Sequence, residues 1–101
     1  MRLTTTEQDV IRHSFRQCFG GEDHLWLFGS RVNDHKRGGD IDLYVETNLD
    51  TNQAMKSKFS FLRDVKDQIG DQRIDIVLNI LAIGSSQPIC KIAREEGIQL
   101  V

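Results

Sequence analysis

The strictest constraint in this chain is the run Asp40-Ile41-Asp42-Leu43-Tyr44-Val45-Glu46, in which polar and apolar residues alternate without a break. Alternate residues of a strand share a face, so Ile41, Leu43 and Val45 turn one way while Asp40, Asp42, Tyr44 and Glu46 turn the other. A period of two does not fit a helix. The run follows an apolar segment ending at Leu27-Phe28, a Gly29-Ser30 corner and a basic, glycine-containing loop, and the stretch from Leu27 to Glu46 organises the rest of the chain.

Two carboxylates therefore sit side by side at the mouth of a sheet. At an effective dielectric of about 20, like charges about 4 Å apart repel by roughly 4 kcal/mol. A fold that tolerates this neutralises the pair with a cation or a shared proton. Mg²⁺ fits best: it takes carboxylate oxygens, keeps several waters and leaves positions for phosphate oxygens. Gly29 permits close backbone approach, and the Ser30 hydroxyl with neighbouring N–H groups can form an anion-binding concavity. A loop such as Arg31–Gly39 is by itself a solvated connection. Lying between the corner and the acidic pair, its cations are placed to contact a triphosphate, Arg31 best because it directly follows Ser30. His35, with no second histidine nearby, reads as exposed.

Upstream, Thr4 and Glu7 have capping-box spacing, and Val10, Ile11, Phe15 and Phe19 recur at helical spacing, which predicts a helix from Thr5 to Cys18 stopped by Gly20-Gly21. His24–Phe28 is a short aromatic strand; its Trp26 belongs to a core or interface, with base stacking as the minor alternative. Downstream, Met55, Phe59, Leu62, Val65 and Ile69 predict a crossover helix over Gln53–Ile69, with Gly70 as its stop. Arg73–Leu78 is a β-branched strand containing one acid, Asp75. Asp75 is either an edge position paired with Arg73 or a third carboxylate facing Asp40 and Asp42, where three acids around a metal could hold phosphates and orient or deprotonate a hydroxyl. Gln87–Glu96 reads as a last helix stopped by Gly97, and Ile98–Val101 as a small closing strand. The Ile80–Ser86 segment leading to that helix could serve as an interface.

With 101 residues, the expected organisation is a single domain over 1–101. A formal net charge of −2 argues against a protein whose main task is holding nucleic acid. Met1–Thr6 is polar and no apolar run approaches the ~20 residues of a membrane span, so the expected location is cytoplasmic, with no membrane partner. Cys18 and Cys90 lie far apart with no zinc-type grouping and read as reduced thiols.

Gly29-Ser30, then Asp40-x-Asp42 at the head of a strand, then Asp75 in a later strand, resembles the nucleotidyltransferase fold of the DNA polymerase β superfamily. More narrowly, LFGSR followed by GGDIDLYVE is similar to the minimal nucleotidyltransferases, small proteins usually paired with a HEPN-domain partner. Either motif alone is weak; their order and spacing carry the resemblance, which covers essentially the whole chain. It implies an α/β (α+β) fold with a mixed sheet and helices packed on one side. It further implies Mg²⁺ held by Asp40, Asp42 and Asp75, the same three as catalytic carboxylates, and nucleotide phosphates at Gly29, Ser30 and Arg31. Many relatives carry a glycine a few residues after Gly-Ser-Arg and a serine before the first metal aspartate; here Asn33-Asp34 and Gly39 stand there, which weakens the expected loop contacts more than the carboxylates.

Relatives of known activity transfer AMP from ATP to a protein hydroxyl, and some act as antitoxins by modifying a tyrosine of a HEPN toxin. The chain is shorter than the antibiotic-modifying enzymes and polymerases that share the motif and carry further acceptor-binding domains. The first expectation is therefore a Mg²⁺-dependent protein adenylyltransferase acting on a HEPN-domain toxin with ATP as donor. The second is a module that neutralises its partner by binding alone; the third is transfer to a small molecule or RNA end in a dimer cleft. A homodimer or hetero-oligomer fits a small domain that exposes sheet edges and apolar helix faces.

Overall fold

The structure is a computed structural model that describes residues 3–29, 41–70, 72–83 and 88–101, with the backbone alone described at 88–90. The first helix, α1 (Thr5–Cys18), starts where the capping-box spacing predicts. The Glu7 N–H donates to Thr4 Oγ1 at 3.0 Å, and the Thr4 N–H donates to Glu7 Oε1 at 2.9 Å. Two of the donors that every helix start leaves without an internal partner are thus satisfied.

Strand β1 (His24–Phe28) pairs antiparallel with β2 (Ile41–Thr47). Helix α2 (Thr51–Ile69) then crosses to β3 (Ile74–Ile80), which lies parallel to β2. Parallel neighbours need such a crossover, whereas an antiparallel pair needs only a turn. Helix α3 (Pro88–Glu96) and the two-residue β4 (Ile98–Gln99) complete a mixed sheet of order β3-β2-β1-β4.

Several boundaries differ from the sequence reading by one or two residues, and two of the shifts have a local reason. Helix α2 begins two residues before Gln53 because Asp50 caps it, accepting from the Gln53 N–H at 2.8 Å. Strand β3 runs past Leu78 because its partner continues, pairing Glu46 with Asn79 and Thr47 with Ile80. Gly70 closes α2 with φ of 96°, a conformation that costs glycine little. Gly97 ends α3 where the chain passes close over β1; a Cβ there would lie 2.2 Å from the Ala93 carbonyl oxygen and 2.8 Å from that of Leu27.

The sheet has two unlike faces. Leu25, Leu27, Leu43 and Val45 pack with Ile11, Phe15 and Phe19 of the α1 region and with Phe61 and Val65 of α2. Phe15 and Phe19 stack at 4.8 Å between ring centroids, and the Phe61 ring stands edge-on to Phe15 at 6.0 Å. The two long helices therefore share one face, as expected, and the short α3 lies on the other. There Ala93 packs against Trp26 and Tyr44, so Trp26 is a core residue. Among the described residues no helix is long and apolar enough to cross a membrane.

At the end of the sheet where β2 finishes, the buried Asp23 gathers three donors: the Gly20 N–H (2.9 Å), the Thr47 hydroxyl (2.7 Å) and the Asn48 N–H (2.8 Å). On the helical layer, the Ser14 hydroxyl donates to Asp64 and ties α1 to α2. Cys18 lies in the same helix pair, and burial, followed by the negative charge of Asp64, raises its thiol above the ordinary 9.0.

Phe61→Ala removes a ring from the densest part of the core and should cost about 3–5 kcal/mol of unfolding free energy, whereas exposed Phe59→Ala should stay within about 0.5 kcal/mol. Urea unfolding followed by Trp26 fluorescence distinguishes the two, and equal losses would remove the assigned burial. In a Cys90→Ser background, Cys18 should react slowly with a disulfide reagent, because a raised pKa lowers the reactive thiolate fraction at any given pH. Its rate should still be climbing at pH 9.0, and a plateau below that pH would contradict the raised thiol.

Candidate active site

Three of the residues singled out in the sequence meet at one end of the sheet. Strand β1 ends in Phe28, opposite Asp42 in the antiparallel register, and Gly29 follows with φ of 76°. A Cβ built on Gly29 would sit 2.3 Å from Asp42 Oδ2 and 3.1 Å from its Cγ. Only glycine meets both demands, the left-handed backbone and the space taken by the carboxylate. The Asp42 carboxylate thus lies directly over the corner that turns out of β1.

Asp75 reaches the same place from β3. It is the Cα partner of Asp42 across the parallel ladder, and neighbouring strands lie about 4.8 Å apart, so the two carboxylates leave one face of the sheet side by side. The edge position expected as one alternative for Asp75 is what the fold gives it. Strand β3 is an edge, and the Asp75 side chain is 51% exposed. Register, not burial, sets it against Asp42. Arg73 also approaches, with Nε 3.8 Å from Asp75 Oδ1, but both groups are solvent-exposed and such a pair adds little. The two readings of Asp75, edge position beside Arg73 and carboxylate facing Asp42, describe one geometry.

Ser30, Arg31 and Asp40 lie outside the described residues. Among the described residues, no group of three or more His, Cys, Asp or Glu is gathered closely enough to hold a metal ion. The pair that is described nevertheless suits a hard divalent cation. Its donors are carboxylate oxygens, and one of the two residues opens to solvent.

Further along the same face lies a polar network that the sequence did not reveal as a unit. The Tyr44 hydroxyl donates to Glu46 Oε2 at 2.7 Å and accepts from Asn79 Nδ2 at 2.9 Å, and Arg94 of α3 lies 3.3 Å from the same Glu46 oxygen. It ties β2, β3 and α3 together behind the acidic pair. Alternation in β2 placed Tyr44 and Glu46 on this face, but their partners come from elements whose pairing is not written locally.

Residues 9–100 match the model of the nucleotidyltransferase domain, and the chain belongs to that family. No curated protein matches it.

Gly29→Ala is expected to cost about 1–3 kcal/mol through backbone strain and displacement of the Asp42 carboxylate. The cost should shrink in an Asp42→Ala background, where the atoms met at 2.3 and 3.1 Å are gone. Thermal unfolding of the four proteins closes this cycle; full additivity would mean that the two residues do not touch.

Proposed function

We propose that this nucleotidyltransferase moves AMP from ATP to a hydroxyl, a tyrosine, of a HEPN-domain partner protein and so acts as the antitoxin of a toxin–antitoxin pair. The observation that carries the catalytic half is the register match of Asp42 with Asp75 beside Gly29. The partner half is supported by the likeness of LFGSR and GGDIDLYVE to the minimal nucleotidyltransferases.

In this reading Asp42 and Asp75, with Asp40, hold Mg²⁺, which when bound neutralises phosphate charge and makes the acceptor hydroxyl more acidic. The chain's own contributions follow from position. Gly29 turns the chain in a left-handed conformation under the Asp42 carboxylate and so lets that carboxylate sit at the corner where phosphate would bind. Asp75, the more open acid, stands where an incoming hydroxyl meets the site and accepts its proton. The acceptor oxygen forms a bond to the α-phosphorus as the bond from that phosphorus to the α–β bridging oxygen breaks, and pyrophosphate carries away the electron pair. The Tyr44–Glu46–Arg94 network fixes the strand that bears Asp42 and takes no part in the transfer.

The test is the intact mass of the co-expressed partner after incubation with the chain, ATP and Mg²⁺. A gain of one or more AMP units is expected, absent with an Asp40→Ala/Asp42→Ala double variant. No gain, with a complex formed equally well by the double variant, would replace the enzyme with a module that neutralises by binding. Asp42→Ala alone should abolish transfer and leave the fold intact, since it removes a like-charge repulsion together with a ligand; retained activity would show that the acidic pair is misassigned.

A further inference from the structure

The two edges of the sheet are unlike. At one, β4 is two residues long and offers little to a neighbouring strand. At the other, β3 runs for seven residues without a lysine or a proline, two of the devices that blunt an edge. The hydrogen bonds at its ends fix which way its backbone points. The Arg73 carbonyl accepts from Ile41 and the Leu81 N–H donates to Thr47, so Asp75, Val77 and Asn79 between them turn their backbone groups to β2. Ile74, Ile76, Leu78 and Ile80 turn theirs away from the sheet, and of these groups the Ile80 carbonyl accepts from the Ile83 N–H at 3.0 Å. Among the described residues only β2 pairs with β3. Ile76, Val77, Leu78 and Ile80 are accordingly half-buried, where Leu43, Tyr44 and Val45 of β2 are wholly buried.

The strand also complements itself. Ile74-Asp75-Ile76-Val77-Leu78-Asn79-Ile80 has the same succession of apolar and polar residues in both directions. Laid antiparallel on a second copy and centred on Val77, it pairs Ile74 with Ile80, Asp75 with Asn79 and Ile76 with Leu78, and this register alone pairs the whole strand. Ile76 and Leu78, whose backbone groups point outward, fall in hydrogen-bonded pairs. Val77, whose groups belong to the β2 ladder, meets its own copy in a non-hydrogen-bonded pair. A slip of one residue would set outward groups against inward ones and lose the ladder. Sliding until Asp75 faces its own copy would oppose like charges, whereas the centred register sets the neutral amide of Asn79 there.

We propose that the chain forms a two-fold dimer in which the β3 edges of two copies pair antiparallel about Val77 and join two four-stranded sheets into one. The axis stands perpendicular to the sheet, so both acidic pairs lie on one face and both α1–α2 layers on the other. Asp75 of each copy then has Asn79 of the other across the new ladder, and each acidic pair borders a residue of the second copy. The helical layer adds to the contact. Met55 is exposed, and by helical phase it lies on the side of α2 away from Asp64, which holds Ser14 of α1. Pairing of the edges brings these outer flanks of the two α2 helices toward each other beneath the strands. A strand of another protein would satisfy the outward groups equally well, but it would not require an edge that reads alike in both directions. The dimer does not depend on the chemistry assigned to the acidic pair.

The test is sedimentation velocity of the whole chain over a concentration series reaching several hundred micromolar, since an interface built on one strand pair is small. The mass should rise with concentration from that of one chain to that of two. In a Cys18→Ser/Cys90→Ser background, Val77→Cys should oxidise to a disulfide-linked dimer about tenfold or more faster than Lys91→Cys on the exposed side of α3. A non-hydrogen-bonded pair sets its Cα atoms about 4.5 Å apart, within reach of a disulfide. Leu78→Pro removes an outward N–H that β2 does not use and should weaken the dimer by about tenfold or more. Circular dichroism checks that this variant is folded; if it is not, the cysteine rates decide alone. Asp42→Ala should dimerise like the parent, which separates the dimer from the catalytic reading. A single chain at every concentration would overturn the proposal, as would equal cysteine rates or a dimer that folded Leu78→Pro leaves intact. So would a chain that stays single while its Ile76 and Leu78 amides gain protection from hydrogen exchange on binding another protein, a result that would give the edge to a foreign strand.

Discussion

The parallel pairing of β2 with β3 is the contact on which the rest of the molecule turns. It sets Asp75 opposite Asp42, and because side chains alternate, a slip of one residue would bring Ile74 or Ile76 there and send the acid into the helical layer. The ladder is held at both ends. The Ile41 N–H donates to the Arg73 carbonyl at 3.0 Å before the first pair, and the Leu81 N–H donates to Thr47 after the last. Between those ends the inward faces of Ile41, Leu43, Val45 and Ile74 share a core with Phe61 and Val65 of α2. The crossover helix thus stabilises the fold and aligns the two acids by one set of contacts.

That arrangement assigns stability and chemistry to opposite faces of a thin sheet. One face is closed by α1 and α2 and contains nearly all the large buried apolar side chains. The other keeps its apolar contacts to Trp26, Tyr44 and Ala93, and uses Glu46, Asn79 and Arg94 to fasten α3. At the acidic end of this second face, among the described residues, Asp75 is exposed and Asp42 half-buried. Water screens the repulsion at Asp75 that a buried pair would feel in full.

Local signals in the sequence were sufficient for the elements, because each is encoded by neighbours in the chain. The Thr4/Glu7 box, the period of two in β2 and the glycines at 70 and 97 all state their structure within a few residues. Asp50 as the α2 cap was legible by the same rule, although apolar periodicity alone starts the helix at Gln53. What local pattern does not carry is strand direction. Alternation placed Asp42 and Asp75 each on a face, but only the parallel ladder puts them in one row. The same gap hid the Asn79–Tyr44 bond, which joins residues 35 positions apart. The edge and facing-carboxylate readings of Asp75 stayed open because an apolar run on an edge strand looks like one at the centre of a sheet.

Where the acids sit along their strands has a further consequence. In most open parallel sheets ligands gather at the carboxyl ends of the strands. Here Asp42 and Asp75 stand at the amino ends of β2 and β3, and the reason is β1, whose antiparallel course delivers Gly29 to that same end. Chemistry at the amino ends leaves the carboxyl ends, with Leu81, Ile83 and the start of α2, outside the site. From Asp42 to Thr47 is five residues of strand, about 17 Å, a distance that roughly eleven residues of helix span. The acidic pair and the carboxyl ends of β2 and β3 are therefore separate regions of one small domain.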